Sequence, residues 1–228
     1  MQNTEKKIII TSDGSPTIYL PELNEHYHSV HGAIQESVFV YIDNALNLSN
    51  NKKIKLFEIG FGTGLNAYLT CLESERKNID ICYHSIEMYP LQKYEWLKLA
   101  GYFKGTSEHE DLFKEIHICE WDKEVQITGS FKLKKIKGDL TKFHFHDTYD
   151  VIYFDAFAPE VQQEMWTEEI FRKISGIMNK GAILSTYSAK GQVRRNLRSA
   201  GLLVNRIPGP PGKKEITVAS KNKYIQIK

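Results

Sequence analysis

The 228-residue sequence predicts an α/β fold: a mostly parallel sheet with helices on both faces, ending in an antiparallel C-terminal strand. Three observations predict it. Apolar, β-rich runs alternate with stretches of helical period from residue 54 onward, the pattern of a sheet wound by crossover helices. One such run turns at once into a helix through the glycines of FEIGFGTGLNA. The last two runs, LLVNRIPG and EITVASK, are split only by the turn PGPPGKK. That turn is too short for a parallel crossover, so the two strands pair antiparallel.

Residues 8–20 read as two short extended pieces around TSDGSPT. From Glu22 to Leu48, Val30, Ala33, Ile34, Val38, Tyr41, Ile42 and Ala45 recur at helical spacing. IKLFEI is a buried strand, LNAYLTCLE the helix after the glycine turn, and ICYHSIE a second strand closing on Glu87. A helical stretch around Gln92 to Gly101 gives way to irregular sequence through KGTSEHEDLF. Residues 116–138 then predict a hairpin turning at TGS, with Asp139 ending its return strand KLKKIKGD. VIYFD is the next strand. WTEEIFRKISGIM is a helix with Thr167 as N-cap and Glu168 and Glu169 in its first turn. GAILSTYS is a strand, and GQVRRNLRSAG a helix ending on Gly201. The chain divides into an N-terminal extension, 1–50, of strands and helix, packed on a larger domain, 51–228. A doubly wound sheet ending in an antiparallel hairpin is the architecture of Rossmann-like methyltransferases.

Hydrophobic residues at 41% and charged residues at 25% allow a buried core and a solvated surface. No apolar run approaches the roughly 18 residues of a membrane span, and MQNTEKKIII has no apolar signal region. A cytoplasmic protein with no membrane partner is expected. Cys71, Cys82 and Cys119 are odd in number and widely spaced, which argues against a disulfide framework and against a zinc cluster. No metal is expected. Charge is unevenly placed: residues 172–228 hold 13 Lys and Arg against the single acid Glu215, whereas residues 1–171 hold 17 basic and 27 acidic groups. A basic quarter on an acidic body is either a polyanion-facing surface or a merely solvated one.

Gly60, Gly62 and Gly64 follow a strand and open a helix, and Glu87 closes the next strand 23 residues past Gly64. Such an acid accepts hydrogen bonds from two ribose hydroxyls. Dinucleotide folds use GxGxxG to seat a pyrophosphate on the helix N-terminus. Here the spacing is GxGxG with Glu58 before it, an acid that would repel a pyrophosphate and suit the cationic amino-acid end of S-adenosyl-L-methionine (SAM). SAM is therefore favoured over a nicotinamide dinucleotide, with a structural turn holding no ligand as the remaining reading. The candidate cofactor residues are Glu58, Gly60, Phe61, Gly62, Thr63, Gly64, Asn66, Glu87, Met88, Asp139, Leu140 and Asp155. Asp139 would accept from an adenine amino group, or cap a surface turn.

YFDAFAPEVQQEMW ends a buried strand on Asp155, where open α/β sheets place their ligands. Together with GFGTGLN, GQVRRNLRSAG, GPPGKKEITVA and YHSVHGAIQESVFVYI, it resembles the methyltransferase domain of MnmC-type tRNA modification enzymes and their stand-alone MnmD-like relatives. The resemblance covers roughly residues 12–220. This chain has Ala156 where that family usually has glycine, and GKKE for GRKRE. The resemblance implies methylation of the aminomethyl group of 5-aminomethyl(-2-thio)uridine at the tRNA wobble position, with SAM as donor and the anticodon arm as partner. It also implies a separate enzyme to supply the amine, since 228 residues leave no room for the flavin oxidase domain of two-domain relatives.

That chemistry needs a neutral amine. A primary alkyl amine like that of lysine, with pKa about 10.4, is only roughly one part in 10³ neutral at pH 7. Asp155 is the candidate catalytic residue, an orienting acceptor first and a proton relay second, because a carboxylate also favours the ammonium form. Phe157 would stack on a flipped uracil, and Pro159 would stiffen the loop. Trp166 either walls the pocket or packs in the core. Glu36, Ser37 and Tyr187 are expected to border the site, whereas His28 and His31 upstream read first as hydrogen-bonded surface or loop residues and only second as site residues. Lys190, Arg194, Arg195 and Arg198 on one helix, with Lys213 and Lys214, are the candidate phosphate contacts. The alternatives are a small-molecule amine methyltransferase or aminopropyltransferase-like enzyme, and a degenerate scaffold that binds RNA or protein. Salt-sensitive RNA binding separates the first reading from the second; SAM binding separates both from the third.

Overall fold

The computed structural model describes residues 5–100 and 107–222. Strands β4 (Lys53–Ile59), β5 (Asp80–Glu87), β7 (Phe131–Lys137), β8 (Tyr149–Phe154) and β9 (Met178–Thr186) run parallel. With β6 (Glu124–Thr128), β10 (Leu203–Pro208) and β11 (Glu215–Ser220) they form one eight-stranded sheet, in the order β10-β11-β9-β8-β4-β5-β7-β6. The central strands β4 and β8 bury most of their residues because both faces are covered, whereas β7 (FKLKKIK) is strongly charged. β11 inserts antiparallel between β9 and β10, as the short turn before it requires. The expected fold class is borne out.

Helices cover both faces. Helix α2 (Leu65–Lys77), α3 (Lys93–Ala100) and α4 (Ser107–Ile118) lie on one face, around a core that includes Leu56, Tyr68, Tyr83, Phe113 and Tyr153. On the other, α5 (Glu168–Ile177) and α6 (Gly191–Ser199) pack Phe171, Ile174 and Leu197 against Phe57, Ile152 and Phe154. Thr167 caps α5 as expected, accepting from the Ile170 amide at 3.3 Å.

The N-terminal residues differ from expectation in two places. Strands β1 (Lys7–Ile10) and β2 (Pro16–Leu20) match the two expected extended pieces, but β3 (Glu25–His26) completes an antiparallel sheet where the long helix was expected to start. Helix α1 begins only at Ala33, after Asn24 and Gly32 take positive φ, and continues from Val38 to Asp43 as a π-helix. Ile18, Leu20, Val40, Tyr41 and Ile42 share one apolar core with the sheet.

Helix α4 occupies sequence read as irregular. Its first turn carries Glu108 and Glu110, which favour a helix N-terminus, and only Leu112, Phe113 and Ile116 mark an apolar face. Residues 101–106 at its start, including the expected helix end at Gly101, lie outside the described residues. The hairpin is shorter than expected, formed by β6 and β7 alone. Within the charged run KLKKIK, Lys135 is fully buried; its ammonium donates to the His117 carbonyl at 2.6 Å and lies 5.0 Å from the Trp121 ring centre.

The strand order turns back between β4 and β8. There, outside the carboxyl ends of the strands, a doubly wound sheet opens a crevice. The two ends meet tightly: the Asp155 amide donates to the Ile59 carbonyl at 3.0 Å, and a Cβ on Gly60 would stand 2.6 Å from the Asp155 carbonyl oxygen. Gly60 also has φ +89°. Gly60→Ala is therefore expected to cost about 2 kcal/mol or more in urea denaturation, combining a left-handed backbone with a clash against main chain. Unchanged stability would show that this crossing can relax.

Candidate active site

A cleft of about 510 Å³ opens at that crevice. Its floor is built from the ends of neighbouring parallel strands: Ile59 ending β4 and Gly60 after it, Ile86 and Glu87 at β5, Gly138 and Asp139 after β7, Asp155 after β8 and Tyr187 after β9. Of the candidate cofactor residues, Gly60, Phe61, Gly62, Thr63, Asn66, Glu87, Met88, Asp139, Leu140 and Asp155 line it.

Glu87 accepts from the Gly62 amide at 3.0 Å through one oxygen and from the Tyr89 amide at 2.8 Å through the other. Burial raises its pKa against those bonds. Asp139 lies below the usual carboxylate range, chiefly because the Thr141 hydroxyl donates to it at 2.7 Å. Gly64 starts α2 at φ +75° but lies behind the lining, where a Cβ would meet His117 Nε2 at 2.9 Å.

Glu58 does not line the cleft. It is fully buried under α2, accepts from Ser85 Oγ at 2.7 Å, and is pushed up to about 8 by burial. A carboxyl largely protonated at neutral pH is not the anionic partner the sequence suggested.

Asp155 is half-buried, lining the cleft while both carboxylate oxygens are held from within. Tyr41 donates to its Oδ1 at 2.6 Å and Asn66 Nδ2 to its Oδ2 at 2.8 Å. Burial pushes the carboxyl up to about 7, against the lowering effect of the Tyr41 bond. A carboxylate offers about four lone-pair positions, so two donors leave capacity for an entering group.

The loop after Asp155 is held by its own backbone. Tyr187 donates to the Ala156 carbonyl at 2.8 Å, the Phe157 amide to Gln162 Oε1 at 3.0 Å, and Trp166 Nε1 to the Phe157 carbonyl at 2.8 Å. Trp166 thus packs in the core beneath the loop, and neither it nor Pro159 lines the cleft. Phe157 does, with Tyr27 edge-on at 5.0 Å between ring centres.

The N-terminal sheet supplies a wall that sequence reasoning largely missed. Tyr27 to Val30 line the cleft, and His28 hydrogen-bonds Thr17 Oγ1 at 3.1 Å. Burial drives the His28 imidazole down to about 4, so it stays neutral. Glu36 lines the cleft and accepts from the Ser29 amide at 2.7 Å; Ser37 is buried away from it.

Lys213 was expected on a phosphate-binding surface. It instead enters the cleft, 2.8 Å from Glu36 and 4.0 Å from the Tyr187 ring centre. The other basic candidates lie outside. Lys190 pairs with Glu160, and Arg194 lies 3.7 Å from Glu215. Arg195, Arg198 and Lys214 are exposed.

These features fit SAM. The cleft lies within the roughly 300–1,000 Å³ of small-molecule sites. Positive-φ glycines let a ligand approach the turn, and half-buried acids end β5 and follow β8.

A family profile described as S-adenosyl-L-methionine-dependent methyltransferase matches residues 105–222. The chain is 28% identical over 228 residues to the tRNA 5-methylaminomethyl-2-thiouridine biosynthesis bifunctional protein MnmC of Cupriavidus metallidurans, covering 92% of this chain and 33% of that protein. It is 30% identical over 219 residues to the protein of the same name from Campylobacter hominis, covering 90% and 31%. The chain thus spans about a third of the length of the curated relatives it matches. The MnmC2 structure from Aquifex aeolicus superposes with a TM-score of 0.75 at 23% identity, over 100% of this chain and 74% of that one. Spermidine synthase from Thermotoga maritima does so at 0.61 and 13%, over 98% and 70%. At these identities the likeness of the structures is one of fold. The expected resemblance and the expected cofactor are borne out, and the chain belongs to the family of S-adenosyl-L-methionine-dependent methyltransferases.

Proposed function

We propose that the chain methylates the aminomethyl group of 5-aminomethyl(-2-thio)uridine at the wobble position of tRNA. The observation that carries this reading is Asp155, half-buried just past the end of β8 and lining the cleft with the glycine turn and Phe157, its carboxyl raised to about 7. The names of the MnmC relatives supply the substrate class. SAM, when bound, supplies a methyl group activated on a sulfonium. Glu87 and Asp139 would hold its ribose and adenine sides, and Asn66 would fix the adjoining Asp155.

The chain's own residues then manage one proton. An ammonium entering the cleft is desolvated, which lowers its pKa. Lys213 lines the same cleft and acts in the same direction, in part offset by Glu36. Asp155 lies far above an ordinary carboxylate. The two pKa values therefore converge, and Asp155 can take the proton that must leave before nitrogen attacks. Phe157 and Tyr27 present ring surface for an extruded base. Arg195, Arg198 and Lys214 offer exposed charge to phosphates, with tRNA as partner and the cytoplasm as site of action. Among the described residues no helix is long and apolar enough to cross a membrane.

Labelled SAM and bulk tRNA carrying 5-aminomethyluridine are expected to yield one added methyl on that nucleoside. Asp155→Ala should lower the rate by about 10²-fold or more. SAM binding without transfer to RNA would move the assignment to small amines. Arg195→Ala with Arg198→Ala should raise KM for tRNA and flatten its salt dependence by about one unit of slope per lost phosphate contact. An unchanged slope would remove this helix from the interface.

The raised carboxyl also sets a pH dependence. Transfer needs ionised Asp155, so the rate should climb as pH rises through about 7. For stability the sign is opposite. Between 3.8 and about 7 the unfolded chain has lost this proton and the folded chain keeps it, so stability falls as pH rises across that window. At about 1.4 kcal/mol per unit, Asp155→Asn should gain a few kcal/mol on the parent between pH 4 and pH 8. A difference in unfolding free energy that is flat with pH would refute the burial of a titrating carboxyl here.

A further inference from the structure

Cys82 and His84 stand two residues apart on β5, so their side chains leave the same face. His84 is in register with Lys134 of β7, and Lys134 with Glu124 of β6. Glu124 therefore lies on the same row, two strands away. Cys82 Sγ is 3.4 Å from His84 Nε2 and 3.3 Å from Glu124 Oε2, and those two atoms are 3.8 Å apart. Ligands of one tetrahedral zinc, bonded at about 2.3 Å through sulfur and about 2.0–2.1 Å through nitrogen and oxygen, stand roughly 3.3–3.6 Å from each other. Two edges of the triangle fall in that range, and the third is slightly longer.

The atoms behind this triangle are arranged to aim it. His84 is buried, and its Nδ1 lies 2.9 Å from the Tyr149 hydroxyl. A proton on Nδ1 donated to Tyr149 leaves the Nε2 lone pair facing Cys82 and Glu124. Outer hydrogen bonds of this kind fix the tautomer and ring of metal-binding histidines. Lys132 holds the other oxygen of Glu124 at 3.2 Å, which leaves Oε2 to the cluster. The nearby cations are Lys132, Lys134 and Lys55, the last paired with Asp147 at 2.6 Å. Thiolate, carboxylate and a divalent ion sum to zero, so the occupied site is neutral among those lysines, one charge more positive than the cluster with its thiol protonated.

We infer that Cys82, His84 and Glu124 form a zinc-class metal site, with solvent at the fourth vertex. A thiolate, an imidazole and a carboxylate suit Zn²⁺ over the hard cations Mg²⁺ and Ca²⁺. Binding replaces the Cys82 thiol proton, now donated to Glu124, and releases it to solvent. The ion ties edge strand β6 to β5 across β7. Cys82 lies five residues before Glu87, about 16 Å along the strand from the cleft, so the site is separate from methyl transfer. It also revises the expectation of no metal: spacing along the sequence hid a cluster that the sheet assembles.

The test is titration of the metal-free chain with Co²⁺ and then Zn²⁺. One equivalent of Co²⁺ should give thiolate-to-cobalt charge transfer and the strong visible bands of a tetrahedral ion, which Zn²⁺ abolishes. Zn²⁺ should also raise Tm. Cys82→Ser should lose the charge-transfer band and at least about tenfold in zinc affinity, while retaining SAM binding as a check on folding. Tyr149→Phe should weaken binding about ten- to a hundredfold. Absence of a thiolate band at one equivalent, or zinc binding by Cys82→Ser equal to the parent, would overturn the site.

Discussion

The ends of β4 and β8 approach so closely that only a residue without Cβ fits between them. The Asp155 carbonyl occupies the space a side chain at Gly60 would need. This single crossing fixes the glycine turn and the backbone of Asp155 relative to each other through main chain alone. For a displacement reaction that matters, because a misplacement near 1 Å can cost about 10²-fold in rate. Side chains then refine the placement. Tyr41 comes from the π-helix and Asn66 from the first turn of α2, and each takes one oxygen of Asp155. The N-terminal strands serve the same end, closing over the turn with Tyr27 and His28.

The electrostatics of the cleft follow from this packing. Glu58, Glu87 and Asp155 are all raised by burial. Their desolvation makes the resting site less negative than its formal count of acids. A cationic ligand reverses that balance, since a positive charge nearby favours the ionised carboxyls. The charge of the site is thus induced by what it binds.

Local features were legible in the sequence, and long-range ones were not. The strand, glycine turn and helix around Gly60 are contiguous, so their pattern survives in one dimension. Glu87, Asp139 and Asp155 were legible because a doubly wound sheet puts the residues after its parallel strands at one edge. Tyr41 carried no such mark; it read as one apolar position on a helix, yet its hydroxyl crosses to Asp155. Lys213 read as one more charge in a basic tail, because only the β10–β11 turn brings it to Glu36. Glu58 misled in the other direction. Its place before the glycines suggested a ligand contact, but strand alternation turns it under α2 to Ser85. Helix α4 was hidden by its polarity, since four apolar residues, one of them the exposed Ile118, give little periodic signal.

The placement of β11 has a consequence for how the protein is made. β9 meets β11 on its outer side, and β11 is the last strand of the sheet to leave the ribosome. Until residue 220 emerges, β9 presents an unpaired edge to the nascent chain's surroundings. β10, although synthesised first, has no strand to pair with until then, because β11 is its one strand neighbour among the described residues. The same hairpin carries Lys213 into the cleft. Sheet closure and completion of the cleft are therefore one late event of synthesis, and a truncated chain lacking β11 exposes an aggregation-prone edge together with an unfinished site.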